Sequence, residues 1–501
     1  MTGAAELIAA IDQGTSSSRC ILFDRSANAI ASHQLEHRQF FPQPGWVEHD
    51  PMEIWENVSR CIDVALEKSG ANASDIAAIG ITNQRETVVM WERSSGRPIA
   101  NAIVWQDTRT EDRIRDLTRD GGVYRFQKTT GLPVSTYPSA LKIQWLLARD
   151  DDARAAAEKG DVLFGTVDSW IAWQLSGGPD GGVHVTDVTN ASRTLLMNIE
   201  TLEWDRSMLD ELRIPRAMLP AIVPSSDVYA PARGSLEGVP IAGILGDQQA
   251  ALFGHTCFDK GDVKNTYGTG CFMLLNTGTE LVFSDHGLIT TVAAKIGSEP
   301  ATYALEGSVA VAGALIQWLR DNLQIIDSSA EVEELAASVE DNGGVVLVPA
   351  FSGLFAPHWR SDARGVVAGL TGYATKAHIA RAALEAAAFQ SMELADAMLA
   401  DVGPPKPDEM RVDGGMVVND LLMQFQADMF GFSVVRPSTS EVTVLGAAYA
   451  AGLAVGIWED LDDLRRNYAI EKRWEPRIDD AGRTQRVALW KKAVERTLDW
   501  I

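Results

Sequence analysis

The segment 7–24 constrains the fold of this chain more than any other stretch of its sequence. An apolar run ends at Asp12, a turn of Gly, Thr and Ser follows, and a second apolar run begins at Cys20, just after Arg19. This pattern is typical of two antiparallel strands joined by a turn of small residues. Such a turn presents backbone N–H groups and hydroxyls that can bind a phosphate group, although an ordinary polar hairpin would have the same sequence.

The same pattern recurs in the second half of the chain. Residues 264–277, KNTYGTGCFMLLNT, again place a polar Gly/Thr turn ahead of an apolar strand. Two matched turns in separate halves predict a duplicated architecture with a cleft between the halves. The acidic Asp12 beside the first turn would repel a phosphate unless a divalent cation lay between them, so the pattern favours a magnesium–nucleotide complex.

Length and charge limit the remaining choices. A chain of 501 residues is expected to form two or three domains. Its 44 Lys and Arg residues against 68 Asp and Glu give a formal charge of −24, which would repel nucleic acid and anionic membranes. We therefore expect neither as a partner, and the apolar segment 446–458 is too short to span a bilayer.

Cysteine usage gives no sign of a metal centre. The chain has four scattered cysteines without zinc-like spacing, Cys20, Cys61, Cys257 and Cys271. They are expected to be buried thiols in a reducing compartment. The first residues lack a basic region ahead of an apolar one, so no signal peptide is predicted. These features favour a cytoplasmic protein.

Helix and strand signals in the first half lead to a polar cluster. Asp50 and Pro51 predict a helix start with Glu53 in the capping-box position, and Gly70 is expected to end that helix. Residues 76–82, IAAIGIT, predict a buried strand, with the polar sequence NQRE directly after it. Because binding groups collect at the carboxyl ends of strands in open α/β sheets, this cluster is a candidate site, although a solvated turn would look the same.

The segment 241–254, IAGILGDQQAALFG, is the strongest catalytic candidate. An apolar strand is predicted to run into Gly246 and Asp247, with a helix after them. Gly246 would leave room for a substrate, and a carboxylate fixed at a strand end can accept the proton of an attacking hydroxyl. Asp247 could equally cap the helix that follows.

The second half is richer in helix. One helix is expected to open near Gly313, and residues 378–399 predict an Ala-rich amphipathic helix. A strand at 410–413 leads through Gly414 and Gly415 to a helix beginning near Asn419. Such a junction lets the backbone approach a flat ligand such as adenosine, and it would equally suit a tight strand-to-helix loop.

Taken in order, these segments resemble the FGGY family of carbohydrate kinases, and within it the glycerol kinases, in the actin-like ATPase superfamily. The resemblance covers nearly the whole chain and rests on the segments DQGTSSSR, PGWVEHDPMEIW, AIGITNQRET, NAIVWQDTRT, LFGTVDSW, VTDVTNASRT, GDQQAALFG, NTYGTGCFM, AGALIQWLRD and RVDGG. The two signatures of the family are recognisable at 137–145 and 365–385.

The resemblance implies an α/β fold of two ribonuclease-H-like domains with a central cleft for ATP and substrate, divided into 1–253 and 254–501. It implies transfer of a phosphoryl group from ATP to glycerol, giving sn-glycerol 3-phosphate, with Mg²⁺ and a homodimer or homotetramer. An FGGY kinase for another polyol or a ketose is the alternative. An actin- or chaperone-like ATPase fits less well, because such a protein needs no polyol site.

The resemblance also implies roles for particular residues. Asp247 is the expected general base. The acceptor site is expected to contain, besides Asp247, the residues Arg85, Glu86, Tyr137, Gln248 and Phe272. The phosphates are expected at Thr15, Ser16, Ser17, Arg19 and Thr269, and the nucleoside at Gly313, Gln317, Gly415 and Asn419. Asp12 is expected near the magnesium ion, through water.

The chain departs from the family in regions tied to regulation. Some bacterial members bind fructose 1,6-bisphosphate at a Gly-rich basic loop, whereas residues 229–240 here contain Arg233 as their single basic residue. Others are activated by phosphorylation of a histidine in this neighbourhood, and none lies between Met218 and Gln249. Neither form of control is carried over. Residues 356–360, APHWR, also differ from the family's acidic sequence, and nothing explains that difference.

Overall fold

A computed structural model describes residues 6–501 of the chain, so the first five residues of the expected N-terminal domain lie outside the described part. Within it the helices are α1 (Pro51–Ser69), α2 (Glu111–Thr118), α3 (Gln127–Thr130), α4 (Ser139–Leu147), α5 (Asp151–Lys159), α6 (Val167–Leu175), α7 (Val188–Ala191), α8 (Arg206–Leu212), α9 (Asp247–Gly254), α10 (Gly313–Asp321), α11 (Glu331–Ala337), α12 (Lys376–Val402), α13 (Asp420–Phe430), α14 (Val442–Ala454), α15 (Leu461–Asn467) and α16 (Asp480–Glu495). They surround two large sheets.

The first sheet is built from the first half of the chain. Its strands are β1 (Leu7–Gln13), β2 (Ser17–Phe23), β3 (Ala29–Glu36), β4 (Ile76–Asn83), β5 (Ser226–Pro231) and β6 (Pro240–Gly246), in the order β5-β6-β4-β1-β2-β3. Strands β1, β2 and β3 are antiparallel, whereas β1, β4 and β6 run parallel. The register pairs Asp12 with Arg19 across the first hairpin.

The second sheet repeats this arrangement. Its strands are β7 (Val263–Tyr267), β8 (Cys271–Gly278), β9 (Ile289–Ala294), β10 (Thr302–Val309), β11 (Glu409–Asp413), β12 (Ser433–Pro437) and β13 (Ile470–Trp474), in the order β9-β10-β8-β7-β11-β12-β13. Strands β10, β8 and β7 are antiparallel, and β7, β11 and β12 are parallel. The core order β10-β8-β7-β11-β12 thus matches β3-β2-β1-β4-β6 of the first sheet, which confirms the duplicated ribonuclease-H-like architecture.

Shorter strand pairs lie around the two sheets. They are Glu48–His49 with Ala102–Ile103, Val89–Glu92 with Val162–Gly165, Val185–Asp187 with Ala221–Val223, Met197–Asn198 with Glu203–Trp204, and Val346–Val348 with Val366–Ala368. These pairs belong to the segments inserted between the core elements of each half.

Both faces of the first sheet are buried along the apolar parts of its central strands. On one face Ile11 and Leu22 pack against α1, and on the other Ile8 and Phe23 pack with α14. Helix α14 comes from the second half of the chain but covers the sheet of the first half. Near-continuous apolar strands of this kind require cover on both faces.

Helices α9 and α14 cross each other very closely between the two sheets. A Cβ atom added at Gly446 would lie 1.9 Å from the carbonyl oxygen of Ala250, and one added at Gly254 would lie 2.0 Å from that of Val442. Since no side chain fits at either position, the glycines set the distance between the helices. The two halves are therefore joined by a crossing of backbone against backbone.

Most of the predicted local structure is confirmed, with two exceptions. Helix α1 begins after Asp50, whose side chain accepts from the Met52 amide, and ends at Gly70 in the left-handed conformation. Glu53, however, accepts from Arg38 instead of closing a capping box. The helix predicted at 378–399 spans Lys376–Val402 and is buried on most sides, so it is a core helix and not an amphipathic one.

The four cysteines are free and buried. Among residues 6–501, every helix is too short or too polar to pass through a lipid bilayer.

Candidate active site

Arg85 occupies the loop that follows β4 and is almost completely buried. Its Nε lies 2.9 Å from the Oδ1 of Asp247, the first residue of α9, so the two strand ends β4 and β6 bring the two charges together. Its Nη1 and Nη2 donate to the carboxylate of Glu306 at 2.5 and 3.1 Å. Arg85 Nη1 also lies 3.2 Å from the Oε1 of Gln249, so the guanidinium is held from three directions.

Glu86 is the second member of the predicted acceptor pair. It has a φ of 61°, a left-handed backbone conformation that non-glycine residues adopt at a cost in free energy. Its Oε1 accepts from the Nε of Arg193 at 2.6 Å, and Arg193 Nη2 lies 3.1 Å from Glu306 Oε1. Glu306 therefore binds both arginines, and Arg193 is shared between Glu306 and Glu86.

The two glutamates of this cluster differ in their electrostatics. Burial opposes ionisation of Glu306, but the adjacent Arg193 and Arg85 outweigh it and lower its pKa to about 2. For Glu86, burial outweighs the attraction of the same two arginines and raises the pKa of its carboxyl group. Glu306, which accepts hydrogen bonds from both arginines, is thus the more readily ionised glutamate of the cluster.

Aromatic side chains connect this cluster to the first turn. The guanidinium of Arg193 lies 5.5 Å from the centre of the Tyr137 ring. Tyr137 in turn packs edge-on against Trp105, with 5.6 Å between the ring centres. The indole N–H of Trp105 donates to the hydroxyl of Thr15 at 2.9 Å. The predicted acceptor and phosphate residues therefore lie in one connected site.

A buried lysine joins the two halves of the chain beside Asp247. Lys264, on β7, donates from its Nζ to Gln248 Oε1 at 2.5 Å and to the backbone carbonyl of Phe272 at 3.3 Å. Burial lowers the pKa of Lys264 to about 8, despite attraction by Asp413 and Glu306. The structure thus places Gln248 and Phe272 around the same ammonium group.

Asp247 is the most accessible carboxylate of the acceptor cluster, with 33% of its side chain exposed. The N-cap of α9 is Gly246, so Asp247 is the first helical residue and does not cap the helix. A Cβ atom at Gly246 would lie 2.7 Å from Cγ and Cδ of Arg85. Gly246 therefore makes room for Arg85.

The first turn, between β1 and β2, is narrow and partly exposed. The Gly14 amide donates to the Ser17 carbonyl at 2.9 Å, and Ser16 is exposed at the tip. Arg19 lies beside the turn and forms ion pairs with Asp12 at 3.0 Å and with Glu441 at 2.6 Å. Glu441 comes from the second half, so Arg19 connects the halves at this point.

The carboxyl group of Asp12 lies in an acidic environment. Its burial raises the pKa, Arg19 lowers it, and the nearby charges of Asp247 and Glu441 raise it again, with a net increase. A divalent cation placed near Asp12 would offset this accumulation of negative charge.

The second turn, between β7 and β8, contacts the start of α10. The carbonyl of Thr269 accepts from the amides of Ala312 and Ala314, each at 3.0 Å. A Cβ atom at Gly313 would lie 2.5 Å from the Gly268 carbonyl oxygen and 3.5 Å from the sulfur of Met416. The turn, α10 and the segment after β11 therefore meet at Gly313.

The remaining nucleoside candidates surround this meeting point. Gln317 is exposed one helical turn after Gly313, and Gly415 is exposed in the turn after β11. Asn419 is buried and caps α13, accepting from the Leu422 amide at 2.8 Å. Gly414 has a φ of 94° and approaches the backbone of Tyr267, so only glycine fits there.

Sequence reasoning missed Glu306, Arg193 and Lys264. A signal for Glu306 was present, because it is the single charged residue of the mostly buried strand β10, TYALEGSV. Lys264 likewise is the second residue of a buried strand, where a charge requires a partner. Arg193 lies in a recognised motif, VTNASRT, but its sequence surroundings give no hint of a role.

Comparisons with known proteins decide the family. The FGGY family of carbohydrate kinases matches over 7–254 with its N-terminal domain and over 263–455 with its C-terminal domain. The chain belongs to the FGGY family. A glycerol kinase of Chloroflexus aggregans is 61% identical to this FGGY chain over 497 residues, covering 99% of it and all of the relative. A glycerol kinase of Methylorubrum extorquens is 59% identical over 99% of both chains.

Solved structures of FGGY kinases have the same fold. The crystal structure of Plasmodium falciparum glycerol kinase with ADP is 40% identical and superimposes with a TM-score of 0.94, covering 99% of both chains. A gluconate kinase of Lactobacillus acidophilus, at 23% identity and a TM-score of 0.85 over 98% of this chain, shares the fold. The two-domain architecture is therefore that of the FGGY family.

Proposed function

We propose that this protein transfers the γ-phosphoryl group of ATP to glycerol and releases sn-glycerol 3-phosphate and ADP. The observation that carries the proposal is the identity of 61% and 59% with two glycerol kinases along the full chain. The ADP-bound relative from Plasmodium supports ATP and ADP as the nucleotide pair.

The acceptor side is proposed to bind the triol through charged groups. Arg85 offers donors and Glu86 offers acceptors at adjacent positions, and Tyr137, Gln248 and Phe272 would complete the walls of the site. A site that pairs each hydroxyl of its substrate rejects analogues that lack one, because its own polar groups would remain unpaired. Specificity for glycerol would follow from this pairing.

Asp247 is proposed as the general base. Its side chain is accessible while Arg85 fixes its orientation at 2.9 Å, so an acceptor hydroxyl can approach the free oxygen. The hydroxyl would lose its proton to Asp247 while its oxygen attacks the γ-phosphorus in line. Holding acceptor and phosphoryl donor in this arrangement supplies much of the rate enhancement.

The nucleotide is proposed to lie against the two turns. Its phosphates would contact Thr15, Ser16, Ser17, Arg19 and Thr269. Its nucleoside would lie near Gly313, Gln317, Gly415 and Asn419. Since Thr269 is tied to the start of α10 through Ala312 and Ala314, phosphate and nucleoside contacts would form on one connected surface.

The residues present fit a magnesium ion bound chiefly by the nucleotide. Within residues 6–501, side chains of His, Cys, Asp and Glu form no group of three or more suited to a metal. Mg²⁺ usually retains waters and takes one or two carboxylates plus substrate phosphates, which suits a single Asp12 in an acidic environment. The ion would neutralise charge on the phosphates, with Asp12 contacting it through water.

The wider context follows from the same family. We propose domains at 1–253 and 254–501, a boundary that falls just before Gly254, the last residue of α9. A homodimer or homotetramer in the cytoplasm is the proposed state of the protein.

The test is an assay of ADP release with different acceptors. Purified protein would be supplied with ATP and Mg²⁺ together with glycerol, xylulose, ribitol or no acceptor. We expect turnover with glycerol far above that with the other three. Faster turnover with xylulose or ribitol would establish the alternative FGGY activity, and equal turnover without acceptor would overturn the kinase proposal.

A further inference from the structure

Glu306 lies where the two halves of the chain meet at the acceptor site. It belongs to β10 of the second sheet, whereas Arg85 and Arg193 both belong to the first half. Its register partner on the neighbouring strand is Leu274, and its side chain is 2% exposed. A charged residue buried this deeply requires compensating partners, and the two arginines supply them.

The contacts of Glu306 form the centre of an alternating chain of charges. The order is Asp247, Arg85, Glu306, Arg193 and Glu86, joined by contacts of 2.9, 2.5, 3.1 and 2.6 Å. Both carboxylates proposed to touch glycerol therefore lie at the ends of one chain. The central member alone comes from the opposite half of the protein.

We propose that Glu306 is a positioning residue that orients Arg85 and, through Arg193, Glu86 for glycerol binding. This inference rests on the proposed function and deepens it. Glu306 does not contact glycerol in this proposal. It holds the two positively charged guanidinium groups where they can pair with Asp247 and Glu86.

Loss of the Glu306 charge has a definite physical consequence. Arg85 and Arg193 would then repel each other without an anion between them, and each would turn toward its remaining carboxylate, Asp247 or Glu86. Arg85 would keep only the amide oxygen of Gln249 as a further anchor. Both ends of the glycerol site would move, while the nucleotide turns would keep their own contacts.

The experiment compares Glu306→Gln with wild type in steady-state kinetics for both substrates. Removing one charge from a buried, hydrogen-bonded ion pair should lower kcat/KM for glycerol about a hundredfold. KM for ATP should stay within about threefold of wild type, because none of the four contacts involves the proposed nucleotide residues. Glu306→Asp keeps the charge on a shorter side chain and should recover part of the loss.

A matched control separates positioning from general destabilisation. Glu385 on α12 is 3% exposed and pairs with Arg381 at 3.1 Å and Asn342 at 2.7 Å, outside the proposed site. Glu385→Gln should lower the melting temperature to a similar degree as Glu306→Gln. It should leave both KM values near those of wild type.

Each outcome bears on the inference. A folded Glu306→Gln enzyme with unchanged kcat/KM for glycerol, or with equal losses toward glycerol and ATP, would overturn it. If Glu306→Gln does not fold, the Asp variant decides by the same split between the substrates. Wild-type protein that fails to phosphorylate glycerol refutes the proposed function itself, which is a separate result.

Discussion

The proposed acceptor site and the proposed nucleotide site are built in opposite ways. On the acceptor side Arg85 and Glu86 are 3% and 1% exposed, and their charged groups are bonded to other side chains. On the proposed nucleotide side Ser16, Thr269 and Gln317 are exposed. The second turn is held by backbone hydrogen bonds, whereas carbonyls of the first turn also accept from the side chains of Gln84 and Gln39. The proposed acceptor side therefore depends on buried charged side chains, and the proposed nucleotide side on exposed turns whose backbone is held by neutral hydrogen bonds.

This difference has a physical reason. A small neutral triol offers only hydroxyl groups, so its site must supply charged side chains that are held in fixed orientations. ATP brings its own charge, and exposed N–H groups of a turn are sufficient to bind its phosphates. Substitutions at the acceptor residues should therefore change kcat or kcat/KM for glycerol, and substitutions at the nucleotide residues should change KM for ATP.

The largest effect is expected for Asp247→Asn. The amide cannot accept the proton of the glycerol hydroxyl, so kcat should fall by about a thousandfold, within the range for lost general-base catalysis. KM for glycerol should change little, since the amide keeps the size and one hydrogen-bonding oxygen of the carboxylate. Steady-state kinetics check this, and near-normal turnover would remove Asp247 from its proposed role.

Arg85→Lys should produce the next largest effect. Lysine keeps the positive charge but loses the fork that bonds Glu306 through two nitrogens, so kcat/KM for glycerol should fall about a hundredfold. KM for ATP should remain near the wild-type value. Measuring both constants is decisive, because a parallel rise in KM for ATP would show that the two sides are not independent.

Gly313→Ala should act on the opposite side of the cleft. The new Cβ would lie 2.5 Å from the Gly268 carbonyl oxygen and would displace the second turn. KM for ATP should rise about tenfold while kcat/KM for glycerol at saturating ATP changes less, as expected when binding of one substrate alone is weakened. Gly372→Ala is the control, since a Cβ there meets no atom within 4 Å.

The smallest effect is expected for Ser16→Ala. If the first turn binds phosphate through its backbone, loss of this exposed hydroxyl should change KM for ATP by no more than about threefold. Titration with ATP at saturating glycerol measures it. A tenfold or larger increase would show that side chains matter on the nucleotide side as well.

The sequence was sufficient for much of the fold and for part of the site. Hairpins, caps and strand ends depend on neighbouring residues, so the turn after Asp12 and the helix start at Asp50 could be predicted locally. Glu306 could not be paired with Arg85, because the two are 221 positions apart and meet only when the sheets dock. The sequence predicts an amphipathic helix at 378–399, whereas Lys376–Val402 is buried on most sides, because distant elements that local sequence does not reveal pack around it.

The packing of α14 on the first half of the chain has a consequence for the order in which the protein can fold during synthesis. Helix α14 covers the face of the first sheet that includes Ile8 and Phe23, yet it ends at residue 454. During synthesis from the N-terminus, that face of the first sheet remains uncovered by α14 until all strands of the second sheet up to β12 have been made. The nascent chain therefore cannot complete the core of its first sheet before α14 has been synthesised. Until then the apolar face of the sheet is exposed and prone to aggregate.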